Sequence, residues 1–253
     1  MKNILKYFKP AILCAAMLVM VIASCQKDNY YEDGGKANPV FNGNMMQYLE
    51  SNSKFDTIVQ IVKLANLEDV FQNEKITFFC PTDEVVRRTI GNLQTNGLNR
   101  QLFDEGKDTL KVLSDVQSAV WRKYLMRYIF KGTYTLKDYP QLDFGLKAQY
   151  PGSFYYAYNN DLANIGVVYN PVNKVNYTGY RQLSISYIPD PSNPTYFIPA
   201  AVASSDIQPS NGVVHVLAIS LGDNVPIGQT LTSIAGNNFG FGYDFNREVI
   251  LNR

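Results

Sequence analysis

Apolar positions along the chain follow two periods in turn. Up to about residue 132 they recur at helical spacing, and from Leu142 onward they alternate with polar residues. Met45 to Glu50 reads as a first short helix, and Ser53-Lys54-Phe55-Asp56 as a capping box opening the next. Phe55, Ile58, Val59 and Val62 then form one stripe to be buried, Asn66 ends that helix, and Leu67 to Phe71 make a further turn. Ile76 to Cys80 is apolar, β-branched or aromatic and too short for a helix, so it reads as a buried strand that Pro81 terminates. Thr82 is placed to cap a following helix, with Asp83 and Glu84 at its positive end, Arg87 and Arg88 at its negative end, and Gly91 as its stop. The polar stretch from Gly91 to Lys107 reads as a loop. Ser114 and Gln117 form a second capping box, for a helix that buries Val116, Ala119, Val120 and Tyr124, with Trp121, Leu125 and Tyr128 extending its apolar surface.

In the second half, Leu183, Ile185 and Tyr187 alternate with Gln182, Ser184 and Ser186, predicting a half-buried strand. Phe154 to Tyr158, Ile165 to Tyr169, Tyr196 to Val202 and Val213 to Leu217 are further strands, separated by proline-marked loops. Asp206 to Gly212 reads as a turn whose Asn-Gly step supplies positive φ, and Glu248 to Leu251 as a closing strand. Helices first and strands later predict an α+β fold, not an alternating parallel sheet.

The amino end carries an address. Lys2, Lys6 and Lys9 precede the apolar run Ala11 to Ala23, which is shorter than the roughly 20 residues of a membrane span and matches a secretory signal. Small residues lead directly into Cys25, a pattern that resembles the lipobox of bacterial lipoproteins. That resemblance implies a signal peptide over 1–24 and acylation (palmitate) of Cys25; the alternative is a plain cleaved signal with an incidental cysteine. Residues 25–44 read as a flexible tether, charged and glycine-containing. Its Lys27-Asp28 start and later acids resemble the export signal of Bacteroidetes lipoproteins. The expected location is therefore the outer membrane, lipid-anchored and exposed at the cell surface, with a periplasm-facing placement as the alternative.

Charge and composition narrow the function. The chain has 23 basic and 22 acidic residues, and loss of Lys2, Lys6 and Lys9 with the signal leaves 20 against 22, so no basic patch points to nucleic acid. The single histidine, His215, sits in an alternating strand and reads as structural, and Cys80 as a core residue. Neither a histidine-based triad nor a multi-histidine metal site is legible, nor a glycine loop for phosphate; no metal or cofactor is expected. Two carboxylates distant in sequence could still form a hydrolase pair. The 18 tyrosines suit strands and recognition surfaces alike.

Thr77-Phe78-Phe79-Cys80-Pro81-Thr82-Asp83-Glu84 resembles the first signature of the fasciclin (FAS1) domain. Ser205-Asp206-Ile207 followed by Asn211-Gly212-Val213-Val214-His215-Val216-Leu217 resembles the second. The resemblance spans about 45–221 and implies a β-sheet wedge with several packed helices, in a family of extracellular adhesion or matrix-binding modules that are not enzymes. Residues 142–194 exceed a minimal domain and read as an inserted, tyrosine-rich β extension; 222–253 form a C-terminal extension. Where the family has a Tyr-His pair, this chain has Arg127-Tyr128, so Tyr128 stands at the histidine position. Asp206-Ile207 resembles the acidic-aliphatic element some members use to bind receptors, against the plainer reading of a turn with an inward isoleucine. Asp108-Thr109-Leu110 resembles the O-glycosylation motif of Bacteroidetes secreted proteins, as does Asp56-Thr57-Ile58, which falls inside a predicted helix. The expectation is a lipid-anchored, non-catalytic binding module for a glycan or an extracellular protein, with Asp206, Ile207 and Tyr128 as ligand-binding residues and Thr109 as a glycosylation site. The alternative is an accessory subunit of an outer-membrane polysaccharide-uptake system.

Overall fold

The computed structural model describes residues 38–94, 97–219 and 239–253. The expected signal peptide 1–24, Cys25 and the expected tether up to residue 37 lie outside the described residues, as do residues 220–238. Pro39 to Arg253 forms one compact unit.

Five strands from the second half join two from the first in a seven-stranded sheet, ordered β2-β1-β7-β6-β5-β4-β3. The strands are β1 (Ile76–Cys80), β2 (Ile129–Lys131), β3 (Ser153–Tyr156), β4 (Leu162–Tyr169), β5 (Arg181–Tyr187), β6 (Ile198–Ile207) and β7 (Gly212–Leu217). All neighbours are antiparallel except β1 and β7, which run parallel with Phe78 opposite Val214 and Phe79 opposite His215. Every residue of β1 is buried, as a continuous apolar run predicts for a central strand covered on both faces. Just beyond β3, the Tyr158 amide donates to the Ile129 carbonyl at 2.8 Å, so the two ends of the sheet approach and the architecture is nearly a barrel. The α+β expectation holds. Residues 142–194 are not appended to this sheet; they supply three of its strands.

Helices α1 (Met45–Glu50), α2 (Asp56–Leu64), α3 (Glu68–Asn73), α4 (Asp83–Ile90), α5 (Leu98–Asp104), α6 (Ser118–Met126) and α7 (Tyr243–Leu251) complete the described elements, with three short 3-10 turns. The stripe Phe55, Ile58, Val59 and Val62 is buried as expected. Phe71 of α3 meets Phe78 of β1 edge-on at 4.9 Å, joining the helices to the centre of the sheet.

Several local expectations are corrected. Ser53 does not cap α2; Asn52 caps a 3-10 turn there, and the free amides of Thr57 and Ile58 donate to Asp83 Oδ1 at 2.9 and 3.2 Å. Thr82 occupies the N-cap position of α4 but makes no side-chain cap bond. Asp83 thus serves the neighbouring helix, while Glu84 is held by Arg87 and Arg88, whose hydrogen bonds lower its pKa to about 2. The stretch from Gly91 to Lys107 is not all loop but contains α5, because Leu98 and Leu102, one helical turn apart, are both buried. Ser114 and Gln117 form no capping box; Asp115 instead accepts from the amides of Lys111 and Val112, and Ala119 is exposed. Glu248 to Leu251 is the end of helix α7, not a strand: Phe245 and Val249, four residues apart, face inward, and a short apolar run alone does not separate the two structures.

The second motif also works differently from a simple turn. Neither Asn211 nor Gly212 has positive φ; Asp206 does, at 64°. Asn211 is instead a junction: its Oδ1 accepts from the Met45 amide at 2.7 Å, and its Nδ2 donates to the carbonyls of Phe71 and Glu74, both at 3.0 Å. Gly212 is required by close approach, because a Cβ there would lie 2.1 Å from the Ile76 carbonyl oxygen of β1.

Candidate functional site

The motif corner is a satisfied structural centre. His215 is fully buried on β7; its Nδ1 accepts from the Asp206 amide at 3.2 Å, so its Nε2 carries the proton shared with the Tyr134 carbonyl at 2.9 Å. Burial lowers its pKa to about 4, keeping it neutral. Asp206, near the end of the neighbouring strand β6, accepts from the Leu136 amide through Oδ1 at 2.7 Å. Ile207 is partly buried and packs against the core. Cys80 is wholly buried, and that burial raises its thiol pKa well above the ordinary value, so it is not an available nucleophile.

Tyr128 is also enclosed. It is 0 % exposed, its hydroxyl accepts from the Phe241 amide at 2.8 Å, and its ring packs against Phe239 and Phe241. Gly240 is necessary beside it, since a Cβ there would come within 2.2 Å of the ring. Thr109 is partly exposed on a stretch without regular structure, between Asp108, whose carbonyl accepts from Arg253, and buried Leu110. The structure therefore brings Asp206 and Ile207 together at one strand end, and places Tyr128 and Thr109 elsewhere.

Two surfaces that no motif announced have more to offer a ligand. On the outward side of β3, Phe154 and Tyr156 are 45 % and 72 % exposed. The Phe154 ring stands 6.3 Å from Phe197, which in turn meets Phe144 at 6.2 Å and lies under the Lys147 ammonium at 4.1 Å. Tyr196, next in sequence, is 62 % exposed. The second surface is a cleft of about 640 Å³ between α6 and α7, closed at one end by Asp161 and Tyr187. Its floor is Arg127, whose guanidinium lies 3.8 Å from the ring of Tyr187 and 4.9 Å from that of Tyr124. Arg127 Nε donates to Asp161 Oδ2 at 2.6 Å, and the Arg127 side chain is only 5 % exposed. Glu248 on the opposite wall accepts from the Tyr124 hydroxyl at 2.9 Å and pairs with Lys123. One sequence signal could have found this site: Arg127 is the only charge in the apolar stretch Leu125 to Phe130, and such a charge needs a buried partner.

A nearly closed sheet with helices over its centre, and with its signature residues bonded to one another, defines a structural module that presents surfaces. The Fasciclin domain family model matches residues 53–221, and the chain belongs to that family. The family is known in adhesion-related proteins and is generally a non-catalytic module. Among solved structures, a FAS1 domain pair from the insect cell adhesion molecule Fasciclin I is similar at a TM-score of 0.43 and 18 % identity, over 69 % of this chain and 49 % of that one. The chain thus spans about half the length of that structure. The comparison with curated proteins found no match.

Proposed function

We propose that this chain is a lipid-anchored, non-catalytic adhesion module that binds an extracellular protein or a glycan through the outward aromatic face around Phe154. The observation that supports it is the exposure of Phe154 and Tyr156 on one side of β3, beside the interlocked rings of Phe144 and Phe197, with exposed Tyr196 adjoining Phe197 in sequence. Aromatic rings already fixed by neighbours offer large contact area with little ordering cost on binding. The test is an array of matrix proteins and glycans probed with the full chain in detergent micelles. A Phe154→Ala/Tyr156→Ala variant loses the recognised ligand; equal binding by this variant sinks the assignment of the face.

The anchor in this reading is an acylated Cys25, holding the domain at the outer membrane and on the cell surface. Metabolic labelling with a fatty-acid analogue should mark the chain and leave Cys25→Ala unmarked, and protease shaving of intact cells should remove it. Thr109, partly exposed, is the proposed glycosylation site; native protein and Thr109→Ala should differ in intact mass by more than the substitution. A stoichiometric transporter partner on co-purification would instead favour the uptake-system role.

A further inference from the structure

We propose that the cleft between α6 and α7 is a subsite for the hydroxyl groups of a neutral saccharide. This rests on reading the chain as a binding module, but uses a surface separate from the aromatic face.

The argument starts with Arg127. A guanidinium has five N–H donors in a fixed fork. Among the described residues only Nε makes a hydrogen bond, while NH1 forms an ion pair with Asp244 Oδ2 at 3.8 Å, too long for a direct hydrogen bond. The cation is nine-tenths buried, yet its fork opens into the cleft with donors left over. Opposite it, Asp244 has a 46 % exposed side chain and no hydrogen bond among the described residues. A group that bridges the two must accept from the guanidinium and donate to the carboxylate. A hydroxyl does both, whereas a carboxylate or phosphate only accepts and an ammonium only donates.

The charge balance points the same way. Lys123, Arg127 and Arg247 face Asp161, Asp244 and Glu248, so the lining carries no net charge to favour an anion or a cation. Arg247 is exposed on α7 and supplies further free donors at the rim. Tyr187 and the exposed Leu251 add apolar surface for the C–H face of a sugar ring. Arg127 itself is held in place by two aromatic rings and Asp161, so the donor fork is set before a ligand arrives.

The experiment uses the full chain in detergent micelles. Dextran-, mannan- and xylan-derived oligosaccharides are titrated against it, with polygalacturonate-derived oligosaccharides as the acidic comparison. At least one neutral series should bind, with affinity falling tenfold or more in Asp244→Ala and in Arg247→Ala. Arg247 is exposed, and its substitution should leave the melting temperature at the parent's. Asp244→Ala gives up the ion pair with Arg127 and should lower it slightly, so its affinity is read at a temperature where both proteins are fully folded. The Phe154→Ala/Tyr156→Ala variant should bind the same sugar as the parent does. Binding of acidic sugars alone, or of a neutral sugar unaffected by the two cleft variants, overturns the subsite. If a protein ligand binds the aromatic face and no saccharide binds, the subsite falls and the adhesion reading stands. If neither class of ligand binds, both fall.

Discussion

The two halves of the sheet treat their buried polar groups differently. In the β2-β1-β7 half, polar side chains are joined into the fold. Thr77 donates to the Gly132 carbonyl and accepts from the Tyr134 amide, both at 2.9 Å, and His215 and Asn211 each use both ends of their side chains. On β4 and β5 and the residue just beyond, Asn164, Asn170 and Gln182 donate through their amide nitrogens to the carbonyls of Pro151, Tyr180 and Val202, but their side-chain oxygens and Ser186 Oγ are buried with no partner among the described residues. Register places these four on one face: Asn164 is opposite Ser186, Gln182 is opposite Val168, and Asn170 continues the alternation. That face is covered by the segment from Leu142 to Gly152, which packs so closely on Gly166 that a Cβ there would lie 2.5 Å from Leu142. Thr82 and Tyr139 are exceptions in the first half, and Asn246 of α7 is a further unpartnered group. Groups bonded at both ends specify one arrangement of neighbouring segments, whereas groups bonded at one end or at neither specify it less tightly. The difference teaches where this molecule is constrained and where its surface is free to vary.

Substitution should expose that asymmetry, most strongly at the β1–β7 contact. Gly212→Ala puts a methyl against the Ile76 carbonyl and should cost at least about 3 kcal/mol in urea denaturation. A loss below about 1 kcal/mol would show that β1 and β7 can separate without penalty. The next effect depends on pH. The folded-state pKa of His215, about 4, lies below the ordinary unfolded value near 6.5, so between the two the unfolded chain binds the extra proton. Stability should therefore be full above pH 6.5 and fall on the order of 3 kcal/mol as pH drops toward 4. His215→Gln should flatten that part of the profile, whatever its effect at neutral pH.

A matched pair sharpens the comparison directly. Thr77→Val leaves a buried amide and a carbonyl unpaired and should cost about 2–3 kcal/mol. Ser186→Ala removes a hydroxyl that has no partner among the described residues and should stay within about 0.5 kcal/mol of the parent. Equal losses from the two would erase the distinction between the halves.

Much of the constrained half was legible in the residues. β1 is a continuous apolar run, its proline stop is unambiguous, and both motifs lie side by side as strands β1 and β7. The caps were less legible because a capping residue need not belong to the helix it caps: Asp83 serves α2 from 25 residues away. The polar positions of β5 looked exposed by alternation, yet Ser184 and Ser186 are buried, because the covering segment comes from sequence 40 residues earlier. Of the candidate site residues, Tyr128 and Asp206 turned out to be bonded within the fold. The Arg127 cleft is not legible in the sequence because its walls come from four separate places, 123–127, Asp161, Tyr187 and 244–252.

The parallel contact between β1 and β7 joins residues separated by more than half of the chain, Ile76 to Gly212. No amino-terminal fragment can complete its own centre, because β7, which flanks β1 on the side away from β2, arrives only after the six other described strands. A chain delivered gradually, from a ribosome or through a translocation pore, must hold Phe78 and Phe79 unpaired on that side until nearly all of it has emerged. Assembly of this domain therefore waits on β7, and a truncation ahead of Gly212 should leave a sticky, unfinished intermediate in place of a smaller working module.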